Sequence, residues 1–157
     1  MKRHTKKPYT SGRYNDKLSS ATAAPALAEV VWLGDSREVL RAFPTGAQQD
    51  LGYALYRVQL GQTPPDSKPM RTVGSGVYEL REQDERTWYR VLYLKKIENV
   101  IYVLHCFEKR TAQTERKDIE VAQERLKRLR EQQRAKEKQK TGRPPGHHPS
   151  NPGKRSG

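Results

Sequence analysis

Three β-rich runs most constrain what this chain can form: Gly76 to Glu82, Thr87 to Ile97 and Val100 to Lys109. All are rich in Val, Leu, Ile and Tyr, and only Gln83–Arg86 and Glu98–Asn99 separate them. Separators this short leave no room for a crossover, so the runs are expected to form an antiparallel meander. Strand side chains alternate between faces, and opposed residues share a face. With Asp84-Glu85 as the first tip, Arg81 opposes Trp88, Glu79 opposes Arg90 and Val77 opposes Leu92. With Glu98-Asn99 as the second, Leu92 opposes His105, Arg90 opposes Phe107 and Trp88 opposes Lys109.

This register sorts the meander into two unlike faces. One collects Glu79, Arg81, Trp88, Arg90, His105, Phe107 and Lys109; the other collects Tyr78, Leu80, Tyr89, Val91, Tyr93, Tyr102, Leu104 and Cys106. The second is mostly apolar and suits packing against helices. The first is a row of cations and aromatics with one imidazole. Guanidinium and ammonium groups engage phosphate, and rings stack on bases, so this face suits RNA. The pattern also admits a plainer reading, in which Glu79–Arg90 is a surface pair of small energetic weight and Trp88 and Phe107 are ordinary packing.

The flanking segments complete the pattern β-α-α-β-β-β-α. Glu29 to Leu33 is a short apolar run closed by Gly34. Asp35 and Ser36 offer N-cap oxygens to a helix with Val39, Leu40 and Phe43 on one face, ended by Pro44. A second helix is expected from about Gly46 to Leu60, with Leu51, Leu55 and Val58 in one stripe and Gly61 as its stop. Residues 62–70 read as a rigid loop. A long helix begins near Thr114, a candidate N-cap. Its stripe of Ile119, Ala122, Leu126 and Leu129 has no large apolar successor, so Glu131 to Lys140 is expected to project or fray.

Composition places the charge outside this core. The 157 residues are 33% hydrophobic and 31% charged, with a formal net charge of +13. Residues 28–110 hold twelve basic and eleven acidic side chains, so nearly all the excess lies in the flanks. Residues 1–27 read as a disordered basic arm, 28–130 as the folded domain, and 131–157 as a frayed helix end with a disordered basic tail. The basic side of the last helix either lies along RNA or is a solvated face, since Glu120, Glu124 and Glu131 intersperse the cations. No apolar run approaches the ~18 residues a bilayer span needs. The Ala-rich stretch Ala21 to Val31 is broken by Pro25 and Glu29, which argues against a secretory signal. The single Cys106 cannot form an internal disulfide or supply a zinc cluster, and a cytoplasmic protein without cofactor or membrane partner is the expectation.

Several ordered blocks resemble one family over roughly residues 29–130. They are Val31-Trp32-Leu33-Gly34-Asp35-Ser36-Arg37, Phe43-Pro44, Gly52-Tyr53-Ala54-Leu55 with Gln59, and Asp66-Ser67-Lys68-Pro69-Met70. Three more are Gly76-Val77-Tyr78-Glu79-Leu80-Arg81, Tyr89-Arg90-Val91-Leu92-Tyr93 and Leu104-His105-Cys106-Phe107-Glu108-Lys109-Arg110-Thr111. Together they resemble the phage-derived HigB-like branch of the RelE/ParE toxin superfamily. The resemblance implies a small α+β fold with two helices on one side of an antiparallel sheet. It implies a type II toxin with a small helix-turn-helix antitoxin as partner. Members of the HigB and RelE kind cut mRNA on the ribosome without metal, whereas ParE members inhibit DNA gyrase. A basic nucleic-acid-binding protein that has lost activity is the third reading.

Metal-free RNA cleavage needs a base to take the 2′-OH proton, cations to stabilise the phosphorane and an acid for the leaving 5′-oxygen. His105 is the natural proton-transfer candidate. Arg81 and Arg90 are the best phosphate clamps, because a guanidinium stays charged and offers paired donors. Lys109 completes the candidate catalytic set. Lys68, Trp88, Phe107 and Arg110 are candidate RNA contacts; Arg110 stands where the family often has a second lysine. Tyr93 is a weaker candidate, since the register puts it on the other face.

Overall fold

The computed structural model describes residues 26–111 and 115–141. The expected arm up to residue 25, the tail from 142 and the Thr114 cap lie outside the described residues. The elements are β1 (Glu29–Trp32), α1 (Ser36–Arg41), α2 (Thr45–Gln59), β2 (Lys68–Pro69), β3 (Val77–Gln83), β4 (Trp88–Ile97), β5 (Val100–Lys109) and α3 (Arg116–Thr141). Their order matches the expected α+β pattern with one addition. β2 lies within the stretch read as a rigid loop, where Lys68 and Pro69 pair antiparallel with Glu79 and Tyr78. The sheet order is β1-β5-β4-β3-β2, with β1 parallel to β5 and the other neighbours antiparallel.

The first hairpin differs from the expected register by two residues. Arg81 opposes Arg90, Glu79 opposes Leu92 and Val77 opposes Leu94. The cause is Asp84. Its Oδ1 accepts hydrogen bonds from the backbone N–H groups of Arg86 (2.9 Å) and Thr87 (2.8 Å), and its Oδ2 accepts one from the Tyr89 hydroxyl (2.7 Å). These bonds wrap a four-residue loop around a centre one residue further along. A two-residue shift preserves the faces, so the expected grouping of Glu79, Arg81, Trp88 and Arg90 survives.

The second hairpin has the expected register from Trp88–Lys109 to Leu92–His105, then changes, because Tyr93 opposes Val103. Leu104 is the extra residue of a bulge, and Leu104 and His105 lie on the same side. The bulge moves Leu104 and Tyr102 off the apolar face to which the sequence assigns them. Both pack on the α3 side, with Leu92, Leu94 and Phe107.

Helices cover both faces of the sheet. Leu40 and Phe43 of the α1 segment and Leu51, Leu55 and Val58 of α2 pack on Leu80, Tyr89, Val91, Tyr93, Val103 and Cys106. On the opposite side Ala122, Leu126 and Leu129 of α3 pack on Leu92, Leu104 and Phe107. The face of cations and aromatics is therefore partly roofed, because the α3 stripe needs apolar surface and the bulge and Phe107 supply it. Past Leu129 the helix continues to Thr141, so the expected boundary at 130 falls inside it. Gln133 Nε2 reaches the Tyr102 hydroxyl at 3.4 Å.

Candidate functional site

β3, β4 and β5 bring Glu79, Arg81, Trp88, Arg90, His105, Phe107 and Lys109 onto one face, which falls into two parts. At the β3–β4 side, the Arg90 Nη1 donates to Glu79 Oε2 in a buried ion pair, and Arg81 Nε lies 4.0 Å from Glu79 Oε1. The guanidinium carbons of Arg81 and Arg90 stand 5.8 and 5.4 Å from the Trp88 ring centroid. Two cations directly opposed across a strand pair repel. Here one carboxylate lies between them and one indole faces both, and each offsets part of that repulsion. Glu79 and Arg90 are each 3% exposed, so the pair is no weak surface contact. The Arg81 side chain keeps 29% of its surface, and its Nε is buried without a hydrogen bond. Asp66, Arg81, Glu82, Gln83 and Trp88 line a shallow recess beside it. Burial, with Asp50 and Asp66 nearby, raises the Glu82 carboxyl above the usual carboxylate range.

The β5 part lies under α3. His105 Nε2 and Asp118 Oδ1 are 2.8 Å apart, with both residues buried. The His105 ring stacks on Phe107, with centroids 5.0 Å apart and planes at 21°. His105 Nδ1 is buried and has no hydrogen-bond partner. Phe107 is 6% exposed and packs with the α3 stripe. Lys109 is buried, and its Nζ makes no hydrogen bond. Lys68, on β2 opposite Glu79, is exposed, as is Arg110 just past β5.

Seven of the eight expected residues thus share one face, with Arg110 just past β5, while their access to solvent differs. Arg81, Trp88, Lys68 and Arg110 present surface; Arg90, Lys109, His105 and Phe107 do not. Tyr93 lies on the opposite face, stacked on Tyr78 at 6.0 Å and hydrogen-bonded to Ser67 Oγ at 3.0 Å. Burial pushes its phenol up from the ordinary value. Cys106, on the same side as Tyr93, is pushed by burial to about 12, which leaves it an inert thiol. Among the described residues no group of three His, Cys, Asp or Glu side chains is placed to hold a metal ion.

Two residues of this constellation have signals that sequence reasoning passed over. Asp118 is in step with Ala122, Leu126 and Leu129, and a carboxylate at apolar-stripe spacing asks for a buried partner. Asp35, read as an N-cap, makes no capping bond. Its Oδ1 instead accepts from Arg125 Nη2 at 3.0 Å, and that guanidinium holds its carboxyl below the usual range.

A family model described as phage derived protein Gp49-like (DUF891) matches residues 38–127. The chain belongs to this family. The Gp49-like proteins are a RelE-like toxin family, in accord with the resemblance read from the sequence blocks. A solved structure of the E. coli toxin RelE, a double arginine-to-alanine mutant in the free state, is similar at 18% identity. It covers 66% of this chain and 99% of that chain, with a TM-score of 0.47. No curated protein matches the chain significantly. Membership of the Gp49-like family points to the toxin of a toxin–antitoxin system, and toxins of this family typically pair with an antitoxin. Among the described residues no helix is long and apolar enough to cross a membrane.

Proposed function

We propose that this Gp49-like protein is the toxin of a type II pair and cuts mRNA on the ribosome, by attack of a ribose 2′-OH on the adjacent phosphate, without a metal. The observation that carries this reading is the pair of arginines over Trp88, one of them partly exposed at the edge of a recess. Attack on a phosphodiester builds negative charge on its non-bridging oxygens, and fixed guanidinium donors stabilise it at that moment. Arg81 makes the direct contact; Arg90 and Lys109 act from beneath it through their charge. Trp88, half-buried, offers its exposed ring surface to a base, and Lys68 and Arg110 engage flanking phosphates. His105 is not assigned the proton transfer, because its Nε2 is committed to Asp118 and its Nδ1 has no surface; the 2′-OH proton passes to solvent at the open recess, and the departing 5′-oxygen takes its proton from solvent.

Induction in a tolerant bacterial host is expected to arrest growth and to leave cut ends within translated transcripts. Arg81→Ala is expected to lower cleavage at least a hundredfold, the scale of losing one transition-state donor. Intact transcripts with arrested replication would move the protein to gyrase inhibition, and cleavage abolished by EDTA on intact ribosomes would sink the metal-free reaction. The expected partner is a small helix-turn-helix protein encoded next to it.

A further inference from the structure

We infer that Glu79 is a positioning residue for Arg81. It fixes that guanidinium on Trp88 so that its outward donors meet an RNA phosphate already aligned. The inference rests on the reading that this face receives RNA. Glu79 and Arg81 are two apart on β3 and so share a face, and the Glu79 carboxylate addresses two guanidiniums with its two oxygens, Oε2 to Arg90 and Oε1 to Arg81. The Arg90 contact is buried and holds the carboxylate in place. The Arg81 contact is longer, and the side chain it steadies keeps solvent access. Arg90 therefore anchors the carboxylate and Arg81 receives its effect.

The physical gain is preorganisation. An arginine side chain loses rotamer freedom when it is fixed in one geometry. Glu79 below and the Trp88 ring alongside restrict Arg81 before RNA arrives, so less of that loss falls on binding. Glu79 also offsets the repulsion between Arg81 and Arg90, which are opposed across the strand pair. A carboxylate beside a phosphate site would otherwise weaken anion binding, so its burial under the arginines, away from the recess, suits a supporting role.

A purely structural Glu79 and a positioning Glu79 differ in their coupling to Arg81, which a double-mutant cycle measures. The probe is a short 2′-O-methyl RNA, which cannot be cut by 2′-OH attack, and the readout is its dissociation constant for the full chain at low salt. Glu79→Gln is expected to weaken binding about tenfold, the scale of one charge-assisted contact. In the Arg81→Ala background the same substitution is expected to change binding less than twofold. Additive losses would overturn the inference, as would a wild-type chain that does not bind the probe. If Glu79→Gln does not fold, Glu79→Asp, which keeps the charge and withdraws it by one methylene, goes through the same cycle with the same criterion. A wild type that binds the probe with the expected coupling but leaves transcripts intact would refute the cleavage reading and leave the positioning role standing.

Discussion

Gly34 shows how one residue serves two elements. It has a φ of 58°, in the left-handed region, and a Cβ built there would lie 2.3 Å from the Arg125 Cζ. That guanidinium donates to the Leu104 carbonyl at 2.9 Å and to Asp35 at 3.0 Å, so it cannot withdraw without breaking the tie from α3 to the bulge and the β1–α1 turn. Gly34→Ala is therefore expected to cost more than the roughly 1–2 kcal/mol of the left-handed backbone alone, read as a lowered urea midpoint at unchanged slope. Asp84 makes a second prediction. Its bonds to the Tyr89 hydroxyl and to the N–H groups of Arg86 and Thr87 favour the carboxylate and lower its pKa. A group depressed on folding adds stability that is full above its unfolded pKa, near 3.9, and is lost as pH falls through the folded value. Chemical unfolding at pH 7 and pH 3 is expected to show a smaller acid loss for Asp84→Asn than for the wild type.

At the scale of elements, α3 decides how much of the cation–aromatic face is open. Its stripe packs on Phe107 and Leu104, and Asp118 engages His105 within the same contact. Asp118→Ala leaves a buried imidazole nitrogen without its partner, at a cost of about 1–3 kcal/mol. Because that contact ties α3 to β5, the first turns of α3 are expected to exchange amide hydrogens faster than the β3–β4 ladder. Equal acceleration in both would mean that the pair supports the whole core and not the helix dock. The meander itself was legible in the sequence, to within a residue at most strand ends, because a two-residue period and short separators admit few alternatives. The β3–β4 register was not, because it depends on which backbone groups the Asp84 carboxylate captures.

For the whole molecule, the charge divides between a nearly neutral core and basic flanks. Beyond Leu129 the helix holds Arg130, Arg134, Lys136, Lys138 and Lys140 against Glu131 and Glu137. The basic flanks on either side of the core are expected to assist encounter with RNA and to take no part in chemistry. Removing residues 1–25 and 142–157 is expected to weaken RNA binding and leave the cleavage rate at saturation unchanged. Each lost phosphate contact would lower the slope of log affinity against log salt by about 0.7 for a single strand. A lost rate at saturation would place a flank in the chemistry.

By itself the sequence determined the element order apart from β2, the strand alternation and the company that Arg81, Trp88 and Arg90 keep. Those follow from local periodicity, and even a two-residue slip leaves face membership intact. Tertiary structure alone decided which of these side chains meet solvent. A one-residue bulge at Leu104 turned apolar surface toward α3, and the Asp118 carboxylate found its partner thirteen residues away on β5. Burial of His105 and Phe107 results from that docking, and no local pattern in β5 encodes the helix that covers it.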